Sequence, residues 1–356
     1  MTTADTPVRV GIVGLGGIGT HHADRIVDLG HDLVGGMDVD ETARHRFEAE
    51  YDVPTVESFD DLTALDVEAV VVTTPNKYHE QYAIAALDAG LPVLLEKPLA
   101  HDLDSAERIV DAAASAESFL MVGFNNRFIP PAEVVTAAID EGRFGDVTHV
   151  EANYVRRRGV PGRGGWFTTK AVSGGGALID LGVHAIDLAL HFLGHPTVVE
   201  VAGETRSEFG GREDYTYLDM YGPDHGADGF DVDDSAQAFI RGADGKTVAL
   251  EVAWAENRPP NHDFVVQGTA AGAQFDLLSG DLELYETGTA GRPHLSTTSV
   301  ETAEVDAHRA EERRFLSAVR TGEPPERNTP EQALRVQRVI DAIYRSSTEG
   351  RAIRLD

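Results

Sequence analysis

Four polar residues interrupt an otherwise apolar segment between residues 177 and 194. Apart from two glycines, Asp180, His184, Asp187 and His191 are the only residues of this segment that are not apolar. Their spacing of i, i+4, i+7 and i+11 predicts a helix that carries all four on one face. Because a buried carboxylate without partners is costly, this face must be paired internally or line a polar cavity.

The two Asp/His couples of this face predict different roles. We favour chemistry for the first couple: His184 exchanges a proton with a substrate, while Asp180 orients His184 or holds a substrate hydroxyl. For Asp187 and His191 we favour a hydrogen-bonded seam against the neighbouring domain. A metal ion is a third alternative, because Asp and His at i, i+4 can reach one ion. No further histidine cluster has ligand spacing nearby, so we predict no metal.

A lysine followed by proline ends a second chemically suggestive segment. The sequence Glu96-Lys97-Pro98 closes an apolar run that begins at Pro92. A lysine beside a cationic or apolar ligand loses solvation, which favours the neutral amine and suits it to proton exchange with a hydroxyl. The alternative is a surface lysine at a strand end. Since the chain has only four lysines, we favour the chemical role.

A glycine-rich turn predicts a dinucleotide site. Gly14, Gly16 and Gly19 form G-x-G-x-x-G, with Gly17 and Ile18 between them, directly after an apolar strand and before a helical stretch. In this motif the glycines allow a tight turn, close approach of a pyrophosphate, and close packing of helix on strand. The phosphate then lies at the positive end of the helix.

Asp38 lies 19 residues after Gly19, at the end of the second predicted strand. An acid at this place accepts hydrogen bonds from the adenosine ribose and repels a 2′-phosphate, so we favour NAD, with NADP possible. The alternative is that Asp38 only caps a helix over residues 40–50. Thr74, Pro75 and Asn76 follow the strand at 69–73 and reach the same sheet edge, although a plain turn would look similar.

These residues need a framework of two domains. Apolar runs at 8–13, 31–37, 69–73, 92–95 and 119–123 alternate with helical stretches, which predicts an α/β fold with a doubly wound parallel sheet of the Rossmann type over residues 1–125. For residues 126–356 we predict an α+β domain with a large, mostly antiparallel open sheet. Its predicted strands are 147–155, 198–204, 235–241, 247–254, 264–268 and 274–276.

Other local signals complete the second domain. Ala243 to Lys246 (ADGK) predicts a tight hairpin, and residues 210–234, rich in Gly and Asp, predict a long loop. Helices are expected at 131–142, 306–321 and 330–348, and we expect the last two to cover one face of the second sheet.

The composition limits the possible partners and the location. The chain has 356 residues, no cysteine, and 60 acidic against 30 basic residues, for a formal charge of −30. This field repels nucleic acid and anionic membranes, and the absence of cysteine removes disulfides and thiolate sites. Residues 1–5 lack signal-peptide features, so we expect a cytoplasmic protein. The acidity favours adaptation to a salt-rich cytoplasm, with an ordinary acidic protein as the alternative.

The chain resembles the glucose-fructose oxidoreductase / inositol dehydrogenase family of two-domain sugar oxidoreductases. The resemblance covers nearly the whole chain, and its most specific part is the combination of Glu96-Lys97-Pro98 with Asp180-Leu181-Gly182-Val183-His184. It implies NAD(P)-dependent oxidation of a sugar or polyol. It also implies a homodimer or homotetramer formed through the C-terminal sheet. Periplasmic relatives carry an export signal that this chain lacks, and this departure favours a freely exchanging cofactor.

The resemblance also implies roles for individual residues. Lys97, Asp180 and His184 correspond to the catalytic residues. The family has a stretch beside the cofactor that corresponds to Thr74, Pro75, Asn76 and His79. Glu96 and Lys97 are also expected to contact the cofactor. Arg127 corresponds to a position near nicotinamide and substrate, and Tyr154, Arg156 and Trp166 are candidate substrate contacts. The run of arginines at 156–158 is more often a surface or interface feature.

The sequence therefore predicts a sugar or cyclic-polyol dehydrogenase in which Lys97, with His184 as partner or alternative, removes the hydroxyl proton. A second hypothesis is an NAD-assisted glycoside hydrolase, and a third is a non-catalytic ligand sensor. The retention of Lys97, Asp180 and His184 together argues against the sensor.

Overall fold

The computed structural model describes residues 6–218 and 224–355. These residues form two compact units. The first runs up to Asn125 and includes Asp306–Leu334; the second contains Asn126–Val305 and the residues from Arg335 onward. Residues 1–5, and residues 219–223 of the predicted loop, lie outside the described residues.

The described residues contain the strands of two sheets, one parallel and one mostly antiparallel. In chain order they are β1 (Arg9–Val13), β2 (Asp32–Met37), β3 (Thr55–Val56), β4 (Ala69–Val72), β5 (Val93–Glu96), β6 (Leu120–Gly123), β7 (Val147–Val155), β8 (Val198–Arg206), β9 (Ser235–Gly242), β10 (Thr247–Ala253), β11 (Asp263–Gly268), β12 (Ala271–Asp276), β13 (Leu282–Gly288), β14 (His294–Val300) and β15 (Ile353–Arg354).

The α-helices fall between and after these strands. In chain order they are α1 (Gly17–Asp28), α2 (Glu41–Tyr51), α3 (Phe59–Thr63), α4 (His79–Asp88), α5 (Leu103–Ser115), α6 (Pro130–Asp140), α7 (Lys170–Ser173), α8 (Val183–Phe192), α9 (Ala307–Thr321) and α10 (Pro330–Glu349).

The first unit is built on six parallel strands in the order β3-β2-β1-β4-β5-β6. All four residues of β4 (AVVV) are buried, as in a sheet covered by helices on both faces. The order reverses between β1 and β4, which is the position where open α/β sheets bind ligands. This sheet confirms the Rossmann fold predicted from the sequence.

The second unit is built on nine strands in the order β14-β13-β12-β11-β7-β10-β9-β8-β15. Only β7 and β10 run parallel among the paired neighbours of the described sheet. Along β10, Val248, Leu250 and Val252 are buried on the side that α8 covers, and the alternate residues point to the other face. The predicted open, mostly antiparallel sheet is confirmed, and the predicted hairpin joins β9 to β10.

Helix α9 is placed differently from the expectation that it covers the second sheet. It belongs to the first unit, where it packs against α1. The segment after α9 is also part of the first unit, where the carbonyl of Asn328 accepts the Val122 N–H from β6 at 2.8 Å. The units divide after Asn125, and residues 306–334, which the sequence-based bounds place in the second domain, belong to the first unit.

One helical stretch within the described residues, Lys170–Phe192, is long and apolar enough to cross a membrane by length and composition alone. However, 83% of its apolar window is buried inside the protein, as expected for a core helix. It contains the four polar residues whose spacing suggested chemistry.

Candidate active site

The glycine turn after β1 has the geometry that a dinucleotide requires. Gly14 has φ of +96°, and a Cβ there would lie 2.9 Å from backbone atoms of Thr73 and Thr74. A Cβ at Gly19 would collide with the carbonyl oxygen of Gly14. Gly16 and Gly17 are exposed, and a Cβ on either would meet nothing within 4 Å among the described residues. Gly14 and Gly19 thus allow the tight turn, and Gly16 and Gly17 leave room for a pyrophosphate.

The start of α1 provides the matching electrostatics. Gly16 is its N-cap, so no side chain caps this end in the described structure, and its first turn contains no acidic residue. Backbone N–H groups at the N-terminus of a helix attract anions through the helix dipole. The turn therefore fits the pyrophosphate of a dinucleotide, and Ile18 forms part of its exposed surface.

Asp38 lies directly against this turn. Its Oδ2 accepts the Leu15 N–H at 2.8 Å, and its Oδ1 accepts the Asp40 N–H at 2.9 Å. The alternative that Asp38 caps the next helix is wrong, because the N-cap of α2 is Asp40, whose side chain accepts the Thr42 N–H. Asp38 therefore lies beside the glycine turn, and its contact with an adenosine ribose stays a prediction.

The turn after β4 joins the glycine turn. The Thr73 hydroxyl donates to the carbonyl oxygen of Gly14 at 2.6 Å. The hydroxyl oxygen of Thr74 is buried and finds no hydrogen-bond partner among the described residues. Pro75 and the buried Asn76 continue the turn. A buried hydroxyl in this place fits a contact with a bound dinucleotide, because such groups normally have a partner.

His79 connects this turn with the one that contains Lys97. Its Nδ1 lies 2.8 Å from the carbonyl oxygen of Pro98, and its Nε2 lies 2.9 Å from that of Thr74. Burial lowers the pKa of His79, and the two backbone acceptors oppose this effect. The ring ties the ends of β4 and β5 together, while a direct contact of His79 with the cofactor remains a prediction.

Lys97 follows the last residue of β5 and is half-buried. Glu96, the last residue of that strand, accepts the Lys97 N–H through Oε2 at 3.1 Å. Its other oxygen lies 2.8 Å from Nε2 of His22, a fully buried residue of α1. Both carboxylate oxygens of Glu96 thus contact protein groups. This supports a role for Glu96 in positioning Lys97.

The helix with the four polar residues begins at an anchored glycine run. Asp233 accepts the N–H groups of Gly176 and Leu178, both at 2.8 Å, and the Tyr344 hydroxyl at 2.7 Å. A Cβ at Gly175 would collide with the Tyr344 hydroxyl, and one at Gly176 with the Asp233 backbone. Burial raises the pKa of Asp233, and these hydrogen bonds counteract it.

The predicted helix is confirmed over Val183–Phe192, but Leu178–Gly182 forms a π-helical turn that contains Asp180. Such a turn inserts one residue into the helical spacing and is frequent at functional sites. The indole N–H of the fully buried Trp254 donates to Oδ2 of Asp180 at 2.9 Å. His184, half-buried, follows at the start of α8. The structure therefore fixes the direction of the Asp180 carboxylate.

The second couple makes hydrogen bonds within its own unit, and the predicted seam against the neighbouring domain stays a prediction. Arg127 makes a two-pronged ion pair with Asp187, at 2.9 Å from Nε and 2.6 Å from Nη2, and both residues are buried. His191 lies 3.2 Å from the hydroxyl of Thr136 on α6. Arg127 is thus placed to hold α8, and its predicted contact with nicotinamide or substrate stays a prediction.

The candidate substrate residues lie in the second unit. Tyr154 and Arg156 share a face of the β7 end, where the Arg156 guanidinium lies 5.3 Å from the Tyr154 ring centre. Trp166 stacks on Phe167, with ring centres 3.9 Å apart, in the turn before α7. Arg158 instead donates to the backbone of Arg157 and Glu256. No cluster of three or more metal-ligating side chains occurs in the described part of the chain.

Two family models match most of the chain. Residues 8–124 match the oxidoreductase family with an NAD-binding Rossmann fold, and residues 133–274 match the GFO/IDH/MocA C-terminal domain. The chain belongs to the GFO/IDH/MocA oxidoreductase family. The family predicted from the sequence, its NAD cofactor and its oxidoreductase class are confirmed by these matches.

Individual relatives agree with this membership. A protein of Amycolatopsis mediterranei, provisionally named UDP-kanosamine synthase oxidoreductase subunit, is 34% identical over 77% of this chain and 76% of its own length. D-xylose 1-dehydrogenase (NADP(+)) 2 of Haloferax volcanii is 30% identical over 97% and 99%. Levoglucosan dehydrogenase, solved with NADH and levoglucosan, has the same fold, with a TM-score of 0.84, 21% identity, and 98% and 99% coverage.

Several residues that support the site were not found from the sequence. They are His22 and Glu312 around Glu96, Trp254 beside Asp180, and Asp233 with Tyr344 at the start of the site helix. A usable signal existed for His22: it shares the buried face of α1 with Gly19, Ala23 and Ile26, where a histidine needs polar partners. Glu312 similarly lies among the buried residues of α9.

Proposed function

We propose that this member of the GFO/IDH/MocA family is an NAD-dependent dehydrogenase of a sugar or cyclic polyol, with Lys97 handling the proton. The observation that carries this proposal is the common edge of the first sheet. The glycine turn, the Thr74 turn and Lys97 leave the adjacent strands β1, β4 and β5 at their carboxyl ends. A cofactor held by the first two turns lies beside the strand that delivers the lysine.

The cofactor-binding role is assigned to the residues whose geometry fits it. Gly14, Gly16, Gly17 and Gly19 shape the pyrophosphate site, Asp38 accepts the ribose hydroxyls, and Thr74 supplies a hydroxyl. When bound, nicotinamide supplies the hydride acceptor for oxidation of a carbinol carbon. Because the Asp38 carboxylate repels a 2′-phosphate, we propose that NAD is preferred over NADP.

The proton is managed by groups of this chain. In the oxidative direction Lys97 accepts the proton of the substrate hydroxyl, with His184 as partner or alternative. Asp180, oriented by the Trp254 indole, holds His184 or a substrate hydroxyl in position. The buried pair with Asp187 supports a positioning role for Arg127, through α8, more than direct contact.

The substrate class follows from the relatives and from the candidate contacts. Relatives named for the oxidation of xylose, levoglucosan, glucosides and inositol act on polyhydroxylated rings or chains. In this chain Tyr154, Arg156 and Trp166 offer aromatic faces and a guanidinium, which suit a sugar ring with several hydroxyls.

The test is a panel of aldoses, inositols and anhydrosugars, assayed at high KCl with NAD and NADP separately while absorbance of reduced nicotinamide is followed. We expect NADH formation with at least one substrate class, and a decrease in kcat/KM of about 10²–10⁴ in Lys97→Gln. Lys246→Gln, a hairpin lysine that donates to the Leu193 carbonyl, is the control and keeps wild-type kinetics.

Other results would contradict the proposal in distinct ways. Sugar release without net NADH would identify the NAD-assisted glycoside hydrolase. Full activity of Lys97→Gln would remove the lysine from the mechanism. Specific sugar binding without turnover by any of the panel would revive the ligand sensor.

We further propose that the open face of the second sheet joins copies of this chain into a dimer or tetramer. Phe239 is 45% exposed on this face, and its neighbours across the sheet are Ala202 and Ala249, an apolar patch on an otherwise polar surface. A cytoplasmic location and adaptation to high salt, suggested by the formal charge of −30, are also proposals. Light scattering across a range of KCl concentrations tests the assembly.

A further inference from the structure

Three ionisable side chains from distant parts of the chain meet at one ring in the first unit. His22 lies on α1, Glu96 ends β5, and Glu312 lies on α9. Nδ1 of His22 is 2.6 Å from Oε1 of Glu312, and Nε2 is 2.8 Å from Oε1 of Glu96. The three residues are 0%, 1% and 8% exposed in the order His22, Glu312, Glu96. The ring therefore links α9 to the residue before Lys97.

The number of protons in this cluster follows from the contacts. Both ring nitrogens face carboxylate oxygens, and an ionised carboxylate only accepts hydrogen bonds. A neutral imidazole has one N–H and would satisfy one of the two contacts. Both contacts are hydrogen bonds if His22 is an imidazolium, or if it is neutral and one glutamate is protonated. In either case two protons are shared among the three groups, and the short distances are those of charge-assisted bonds.

The surrounding charges favour the imidazolium paired with an ionised Glu96. Burial alone would lower the pKa of His22, but its bonds to Glu312 and Glu96 outweigh burial and raise that pKa to about 10. Burial would raise the pKa of Glu96, but His22 lowers it to about 2. Burial raises the pKa of Glu312. The other ionisable groups around the ring are His21 and Arg25 on α1, His308 on α9, Asp306 at the N-cap of α9, and Lys97 beside Glu96.

The cluster reaches the predicted catalytic amine through the backbone. Glu96 uses one oxygen for His22 and the other for the Lys97 N–H, at 2.8 Å and 3.1 Å. A carboxylate fixed at one oxygen fixes the direction of the other, and so it fixes the peptide from which the Lys97 side chain departs. Without the imidazolium, Glu96 would be a buried carboxylate that must take up a proton or move.

We propose that His22 and Glu312 are positioning residues for Lys97, acting through the carboxylate of Glu96. The inference rests on the proposed role of Lys97 and extends it, because it makes the orientation of that lysine depend on a helix more than two hundred residues away in sequence. Small displacements of a reacting group cost large factors in rate: about 1 Å can cost on the order of 10²-fold.

The experiment compares His22→Gln and Glu312→Gln in the full-length enzyme, using the substrate found in the panel. We expect kcat to decrease about 10- to 100-fold in His22→Gln and about 3- to 10-fold in Glu312→Gln. The KM for NAD and the dissociation constant of NADH, measured by fluorescence, should stay within about twofold. His21→Gln is the matched control on the same helix. Its Nε2 has no hydrogen-bond partner among the described residues, and we expect wild-type kcat.

A double-mutant cycle separates positioning from general structural damage. If His22 acts through Glu96, His22→Gln has little further effect on kcat in a Glu96→Gln background, whereas independent effects would multiply. Wild-type kcat in folded, NADH-binding His22→Gln, or multiplicative effects in the cycle, would overturn the proposal. If His22→Gln does not fold, the same cycle between Glu312→Gln and Glu96→Gln decides it. Full activity of Lys97→Gln would instead overturn the proposed function.

Discussion

The two groups predicted to act on the substrate are held in different ways in the two units. In the first unit, the peptide of Lys97 is held by Glu96, which belongs to a buried cluster of ions around His22. In the second unit, the carboxylate of Asp180 accepts a hydrogen bond from the neutral indole of Trp254. An ion pair also exists there, between Arg127 and Asp187, but it lies further along the same helix.

The difference indicates which acids are available for chemistry. A two-pronged guanidinium neutralises Asp187 and suits it to holding α8 in place. The indole bond to Asp180 fixes the direction of one oxygen without adding a positive charge. Glu96 is an intermediate case. One of its oxygens is paired with the His22 ring, and the other accepts the Lys97 N–H. We therefore expect charge removal to affect folding most at Asp187, and loss of the neutral donor at Trp254 to affect turnover.

The largest effect is expected from Asp187→Asn. This change leaves the Arg127 guanidinium buried without its carboxylate, which costs roughly 3–5 kcal/mol. Urea unfolding, followed by circular dichroism, measures the free energy of unfolding. The exposed Asp281→Asn in the same unit is the control and should stay within about 0.5 kcal/mol of the wild type. Equal stability of the two variants would show that the pair does not hold α8.

A smaller effect, on turnover, is expected from Trp254→Phe. The phenyl ring fills most of the indole site but cannot donate to Asp180, and a lost hydrogen bond to a buried charged group costs about 1–3 kcal/mol. We expect kcat to decrease about 10- to 100-fold, with NADH binding unchanged. Tyr285→Phe removes a donor to Glu283 at the sheet surface and serves as the control. An unchanged kcat in Trp254→Phe would mean that Asp180 needs no such support.

A third expected effect is the pH dependence of the His22 contribution to stability, which is small per pH unit. Folding raises the pKa of His22 from 6.5 to about 10, so its contribution is complete below pH 6.5 and is lost as pH rises through 10. Folding lowers the pKa of Glu96 from 4.5 to about 2, so its contribution is present above pH 4.5 and is lost as pH falls through 2.

The difference in unfolding free energy between the wild type and His22→Gln should therefore be largest between pH 4.5 and 6.5. Above this range it should decrease by at most about 1.4 kcal/mol per pH unit. Denaturant unfolding of both proteins at pH 6, 7.5 and 9 measures it. A difference that does not change with pH would mean that the ring is not held as an imidazolium.

The sequence was informative where function depends on local spacing. The glycine motif, the lysine before proline and the polar face of the helix are read within a few residues, and the alternation of apolar runs predicted both sheets. Strand β14 was missed because its residues (HLSTTSV) are mostly exposed and have no apolar alternation. The π-helical turn at Asp180 was missed because helical periodicity assumes regular spacing.

Contacts between distant parts of the chain could not be predicted in the same way. Glu312 is 290 residues from His22, and no spacing rule connects them. Trp254 ends the predicted strand 247–254, and the sequence pattern assigns it no partner. The patterns showed that polar side chains lie on apolar faces, but the identity of each partner depends on how the elements pack.

The placement of residues 306–334 in the first unit has a consequence for the order of events during synthesis. When residue 125 leaves the ribosome, all six strands of the nucleotide-binding sheet have been synthesised. His22 then still lacks its contact with Glu312, and β6 still lacks its hydrogen bond to the Asn328 carbonyl. The first unit is thus completed only after residues 126–305 of the second unit have been synthesised. A nascent chain stopped before residue 306 should carry a His22 ring that lacks its contact with Glu312.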